Sequence, residues 1–260
     1  MDFELKGKLA YVNAGAWGIG EAVADLLTQE GASVIVGDKD ASVLQEKAGR
    51  WAGVIAADLA SAAGVDEAVA YVRKMFGRAP DILINNLGLG DSASFEDLSD
   101  ERWARTFEIN LMGCVRITRA FIAEMAARGD AAIVNTGSDL SKQPEPTLMD
   151  YGTCKAGLLY LTKALAKQYA PNVRVNAVLP GPIWTRMWTR EGGIVDQLVQ
   201  HYGVADRDEA VKRFLADRYL PLGIGQAADV ANAIVFLASP LAKYITGSTL
   251  DIGGTLRGLI

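Results

Sequence analysis

The chain has a single histidine, His201, and only two cysteines, Cys114 and Cys154. With no CxxC pair and one histidine, an ordinary Cys/His zinc site cannot be assembled, and no metal is expected. A Ser-His-Asp hydrolase is poorly served too, because no GxSxG elbow supplies a nucleophile. No apolar run reaches the length of about 18 residues that a membrane-spanning helix needs. Basic blocks are also missing: 26 basic and 31 acidic residues give a formal charge of −5, and no stripe of one sign suits a phosphate backbone. A nucleic-acid partner is therefore not expected. The first residues, MDFELKGKLAYVNAG, lack a basic stretch followed by an apolar one, so no secretory signal is read there. Two unpaired thiols without such a signal point to a cytoplasmic protein.

What the chain has is length, glycine and apolar periodicity. Its 260 residues, half of them hydrophobic and 22% charged, can bury a core without disulfides. Seven short β-rich runs occur at Leu9–Asn13, Ser33–Gly37, Val54–Ala57, Ile82–Asn85, Ala132–Thr136, Arg174–Leu179 and Thr249–Ile252. Between them apolar residues recur at three- and four-residue spacing, as in Ile19, Val23, Leu26 and Leu27, or Leu158, Leu161 and Leu165. Buried parallel strands alternating with helices predict an α/β fold. The expectation is one doubly wound domain over 1–260, a seven-stranded parallel sheet with helices on both faces. The stretch 182–225 breaks this rhythm and shows no strand signal. It is read either as a substrate lid, since ligands sit beyond strand C-termini, or as a helical excursion packed for stability.

Asn13-Ala14-Gly15-Ala16-Trp17-Gly18-Ile19-Gly20 follows the first run and opens the first helical pattern. Glycines there let backbone approach a pyrophosphate at a helix N-terminus, and the alternative is only a tight turn. Asp38 lies eighteen residues past Gly20, at the spacing of an acid that accepts ribose hydroxyls and repels a 2′-phosphate. That favours NAD over NADP, although Lys39 is a cation able to pair with such a phosphate. A turn acid closing the strand is the alternative for Asp38.

Five further elements line up in order: Asn85-Asn86-Leu87-Gly88, Asn110, Ser138, Tyr151 with Lys155, and Pro180-Gly181 followed by Thr185. With the glycine loop, and with the serine thirteen residues before the tyrosine, this ordered set resembles the short-chain dehydrogenase/reductase family over essentially the whole chain. The resemblance implies a Rossmann-like domain, a nicotinamide cofactor and hydride transfer between it and an alcohol or carbonyl. By position, Ser138, Tyr151, Lys155 and Asn110 look like the catalytic residues. Gly15, Trp17, Gly18, Ile19, Gly20, Asp38, Asp58, Leu59, Asn86, Gly88, Tyr151, Lys155, Pro180, Gly181, Ile183 and Thr185 look like the cofactor-binding ones. The chain departs from the family at Asn13, at Ala14 where the first glycine is usual, at Trp17 and at Leu87. Ala14 is expected in ordinary extended conformation, with the Trp17 indole outside the loop.

Tyr151 and Lys155, four apart, share one face if they stand on a helix. An ammonium about 4 Å from a phenol is worth about 4 kcal/mol at an effective dielectric near 20, enough to bring the phenol towards working pH. Ser138 is read as polarising a substrate oxygen. Asn110 is read as a link in a proton chain, a role that coexists with repair of a break in a long helix. Cys154 and His201 are read as packing or solvent-facing residues. Gln143, Trp184, Met187 and Trp188, with Ser138, are the candidate substrate contacts. The resulting expectation is an NAD-dependent oxidoreductase of secondary alcohols or ketones. The alternative is a nucleotide-binding sensor or scaffold that has lost turnover. An enoyl reductase of the same family would carry a longer Tyr-to-Lys spacing. Surplus apolar residues in 99–127 and 151–169, and an apolar 253–260, suggest subunit contacts. The family resemblance points to a homotetramer.

Overall fold

The computed structural model describes residues 2–254, so all but two residues of the apolar segment 253–260 lie outside the described residues. Among the described residues nine strands run in chain order as β1 (Leu9–Asn13), β2 (Ser33–Asp38), β3 (Gly53–Ala56), β4 (Ile82–Asn85), β5 (Ala131–Thr136), β6 (Val173–Pro180), β7 (Ile183–Trp184), β8 (Gly225–Gln226) and β9 (Thr249–Ile252). Interleaved with them, among the same described residues, are ten α-helices: α1 (Gly18–Gln29), α2 (Ala41–Glu46), α3 (Ala62–Phe76), α4 (Asp100–Phe107), α5 (Gly113–Arg128), α6 (Met149–Tyr169), α7 (Arg186–Thr189), α8 (Ile194–Tyr202), α9 (Arg207–Asp217) and α10 (Ala227–Ala238).

Seven strands form one sheet in the order β3-β2-β1-β4-β5-β6-β9, and every pairing is parallel. The order reverses beside β1, which opens a crevice between β1 and β4 at their carboxyl ends. Strand residues alternate between two cores. Ala10, Val12, Val34, Val36, Ile82, Ile84 and Val134 pack with α1 and α10. Tyr11, Ile35, Leu83 and Ile133 pack on the other face with α3, α5 and α6. Burying each such large side chain stabilises the fold by about 1.5–3 kcal/mol.

Two sequence expectations change. The single helical pattern over 99–127 is α4 and α5 joined by a π-helical turn, Glu108–Met112, with Asn110 buried in it. The stretch 182–225 does contain strand: Ile183 and Trp184 pair with Gly225 and Gln226. A two-residue ladder is too short to show periodicity, yet it ties together the two ends of the excursion. Between these ends α7, α8 and α9 enclose a small core of their own around Trp188, Val195 and Ile224.

Candidate active site

Three asparagines occupy one level of the sheet near its carboxyl edge. Asn13 is in register with Asn85, and Asn85 with Asn135. Asn13 Nδ2 donates to Asn85 Oδ1 at 2.8 Å, and Asn85 Nδ2 donates to Asn135 Oδ1 at 2.8 Å. Asn135 in turn donates to the Thr162 hydroxyl on α6 at 2.8 Å. All three are buried, so each unmade bond would cost about 1–3 kcal/mol. Asn13 Oδ1 also accepts from the amides of Asn86 and Leu87 at 2.7 and 3.0 Å, which fixes the loop after β4.

Above this row lies a cleft of about 490 Å³. Trp17, Gly18 and Ile19 line one end of it, with Asp38, Asp58, Leu59, Asn86 and Gly88. Ser138, Tyr151, Lys155, Pro180, Gly181, Ile183, Thr185, Met187 and Trp188 line the rest. The structure thus brings together most of the residues that the sequence nominated. Gly15 and Gly20 stand behind the cleft. A Cβ on Gly15 would lie 2.7 Å from Val36, and one on Gly20 would lie 2.4 Å from the Ala14 carbonyl oxygen. Their smallness serves packing of the loop. Gln143 and Trp184 do not line the cleft either. Trp184 stands edge-on to Trp188, 5.7 Å away, in the core of the excursion.

The glycine loop corrects one expectation outright. Ala14 has φ 49°, the left-handed region that costs a non-glycine residue about 1–2 kcal/mol. Gly15, held against β2 by its amide bond to Gly37 and by contact with Val36, does not take up that conformation. The Ala14 carbonyl accepts from Asn86 Nδ2 at 3.0 Å, so the loop after β4 fixes the turn. The Trp17 indole does stand at the cleft edge, with the cations of Lys47 and Arg186 at 4.6 and 4.5 Å from its ring. Asp38 accepts from the amides of Ala16 and Asp40, each at 3.1 Å, and so ties β2 to the loop.

A dinucleotide fits these residues on two observations. Helix α1 begins at Gly18 with no side-chain cap, leaving first-turn amides at the cleft, where a phosphate is favoured. The Thr136 hydroxyl is buried without a partner, and Thr136 lines the same cleft.

At the other end α6 carries Tyr151 and Lys155. Gly90 makes room for the tyrosine ring, since a Cβ there would lie 3.0 Å from it. Lys155 is buried and donates to the carbonyls of Leu87 and Thr136 at 3.0 and 2.9 Å, which leaves one of its three N–H donors. Burial lowers its pKa. Its Nζ is 5.7 Å from the Tyr151 ring centroid. Burial pushes the Tyr151 phenol up to about 12; Ser138 opposes the rise and Asp139 adds to it. The downward pull expected from Lys155 does not appear in the protein alone, where burial sets the direction of the shift. Asn110 makes three hydrogen bonds: from the Leu89 amide, and to the carbonyls of Leu89 and Thr106. Of its two expected roles this geometry supplies the structural one.

Sequence reasoning missed Leu89, Arg105, Glu108 and Ile109, which line the cleft from the loop after β4, from α4 and from the π-helical turn. The π turn has no sequence signature that would bring them forward. Among the described residues no cluster of His, Cys, Asp and Glu could hold a metal, and no helix is long and apolar enough to cross a membrane.

A parallel sheet with a glycine loop at its switch point and a Ser-Tyr-Lys constellation over its carboxyl edge defines a nucleotide-dependent oxidoreductase. The sequence profile of a family described as enoyl-(acyl carrier protein) reductase matches residues 14–255. An uncharacterized oxidoreductase of Bacillus subtilis, YvrD, is 37% identical across the full length of both chains. A 3-oxoacyl-acyl-carrier-protein reductase of Aquifex aeolicus is 32% identical over 98% of this chain and 99% of its own. The L-sorbose reductase of Gluconobacter frateurii, solved with NADPH and L-sorbose, has a TM-score of 0.91 at 31% identity, with full coverage of both chains. The chain belongs to the short-chain dehydrogenase/reductase family and is an oxidoreductase of that family.

Proposed function

We propose that the protein transfers a hydride between NAD(H) and a secondary alcohol or ketone, with Tyr151 as the general acid and base. The observation that carries this reading is the convergence of Ser138, Tyr151 and Lys155 on the cleft that the glycine loop opens. The bound nicotinamide would supply or accept the hydride. In reduction the Tyr151 phenol gives its proton to the substrate oxygen, and in oxidation it takes that proton back. Ser138 polarises the same oxygen. Lys155, anchored by two carbonyls, keeps one N–H for ribose hydroxyls. Asn110 acts as a positioning residue for the backbone at Leu89.

Asp38 supports NAD over NADP by its charge beside the expected ribose. Lys39 and Arg186 also line that end of the cleft, and the sorbose reductase was solved with NADPH, so the cofactor is decided by comparing both. The four-residue Tyr-to-Lys spacing supports alcohol or carbonyl chemistry over enoyl reduction. A polyhydroxy ketone such as sorbose, the ligand of that structural relative, is the first compound to try. The stretch 182–225 acts as a substrate lid in this reading, through Met187 and Trp188 at the cleft. A homotetramer in the cytoplasm completes it: Phe107 on α4 and Tyr160 on α6 leave apolar surface exposed for subunit contacts. Light scattering giving a monomer mass at micromolar concentration would remove the tetramer.

The test is a panel of ketones and alcohols with NAD(H) and NADP(H), followed by nicotinamide absorbance. Reduction of a ketone by wild type, with higher kcat/KM for NADH than for NADPH, is expected. Cofactor binding without turnover of any compound would favour the sensor reading.

A further inference from the structure

Ser138 has one proton to donate. Its hydroxyl donates to Asp139 Oδ1 at 3.0 Å and accepts from the Leu140 amide at 3.2 Å. A serine hydroxyl carries a single O–H, so a substrate oxygen must compete with Asp139 for it. Asp139 opens the short turn Asp139–Ser141, beyond the carboxyl end of β5 and against α6. Its Oδ1 also accepts from the Leu140 amide at 2.9 Å. Burial raises its pKa above the usual carboxylate range, against the lowering effects of Ser138, Leu140 and Arg218.

The charged groups around it are few. Arg218, just past α9, faces it and is itself paired with Glu145. From α6 the Tyr151 phenol feels its charge, whereas Asp150 is bound to Arg102 and Lys155 to two carbonyls. Lys142, one residue past the turn, is paired with Asp251 of β9. Arg174, the charged side chain of β6, is committed to carbonyls at the end of α10 and beyond.

We propose that Asp139 is a positioning residue that decides whether Ser138 donates to the substrate oxygen: its carboxylate holds the serine proton, and its neutral acid releases it. The inference rests on the role given to Ser138 in the proposed reaction. A hydrogen bond to a charged acceptor is roughly twice as strong as one to a neutral acceptor. The neutral acid still accepts from the Leu140 amide, so the turn keeps its shape while its grip on Ser138 weakens. Losing a single donor to the oxygen that gains charge costs about 10²–10³ in rate, so partial loss is readable. Rate therefore falls as pH rises through the Asp139 pKa. Asp139→Asn keeps the acceptor for Leu140 and never ionises, so it imitates the neutral acid at every pH.

Two measurements test this. The first is the pH profile of kcat/KM for reduction of the ketone that wild type turns over best. Wild type is expected to fall with rising pH to a plateau about tenfold lower or more. Asp139→Asn is expected to stay within about twofold over the same range, and Asp139→Ala to follow it; in a Ser138→Ala background the substitution should leave the profile unchanged. The second needs no turnover. Near-ultraviolet phenolate titration of the cofactor-free protein, with Tyr151→Phe identifying the phenol, should show the Tyr151 midpoint lowered by Asp139→Asn. A retained fall in the Asn variant, or an unmoved Tyr151 midpoint, overturns the proposal. A wild-type protein that turns over no ketone refutes the reaction itself, whereas an active enzyme with an unchanged profile refutes only the role of Asp139.

Discussion

Asn110 holds Leu89 by both of its backbone groups: the Leu89 amide donates to Oδ1 at 3.0 Å, and Nδ2 donates to the Leu89 carbonyl at 2.9 Å. The pair joins the π-helical turn to the loop after β4, between the two ends of the cleft. Asn110→Leu leaves the Leu89 amide and carbonyl in a half-buried place without their partner and removes the bond to the Thr106 carbonyl, each loss costing up to about 1–3 kcal/mol. The expected result is a loss of about 2–5 kcal/mol in chemical denaturation and a higher KM for the nicotinamide. Asn110→Asp keeps the acceptor and should recover part of both. A variant with wild-type stability and KM would show that the tie has no consequence.

Ala14 carries a left-handed backbone at φ 49° where glycine would carry it freely. Ala14→Gly relieves about 1–2 kcal/mol of strain and adds about 0.5–1 kcal/mol of unfolded-state entropy. A small net gain in stability is expected, read as a higher Tm. NAD affinity should change by less than tenfold, under about 1.4 kcal/mol. A hundredfold gain in affinity would mean that the native loop is impaired.

Asp38 joins the glycine loop to the end of β2 through two amides. Asp38→Ala should narrow the preference for NAD(H) over NADP(H) in kcat/KM and lower stability by about 1–3 kcal/mol through the two freed amides. A native enzyme that prefers NADP(H) would assign the ribose end to Lys39 and Arg186.

Burial raises the Tyr151 pKa from 10.0 to about 12, and burial also raises that of Tyr11. Between these values the unfolded chain has released a phenolic proton that the folded one keeps. The contribution to stability is therefore complete below pH 10 and is lost as pH rises towards 12. Denaturation across that window should show a smaller loss for Tyr151→Phe than for wild type. Equal losses would mean that Tyr151 titrates normally in the folded protein.

Much of this was legible in the residues. Strands with two buried faces leave near-continuous apolar runs, so β1 and β4 fall where the runs at Leu9 and Ile82 put them. Ser138, Tyr151 and Lys155 stood out because, in order with the glycine loop and Asn110, they resemble the pattern of the short-chain dehydrogenase/reductase family. The Ala14 backbone was not legible, because its φ is imposed by Asn86 and by the packing of Gly15, which are contacts distant in sequence. The π turn was hidden for a similar reason: Asn110 accepts and donates to Leu89, and no local pattern announces that partner. Asp139 drew no attention in the sequence, because its role rests on the hydrogen bond to Ser138 that the turn after β5 creates.

The central claim is that the Tyr151 hydroxyl moves the proton of the reaction, and Tyr151→Phe tests it most directly, since the ring stays and only the ionisable group leaves. Turnover of a substrate accepted by wild type should fall by at least about 100-fold, on the scale of general acid–base effects, with NADH affinity retained in a fluorescence titration. Near-normal turnover in the Tyr151→Phe protein would contradict the account.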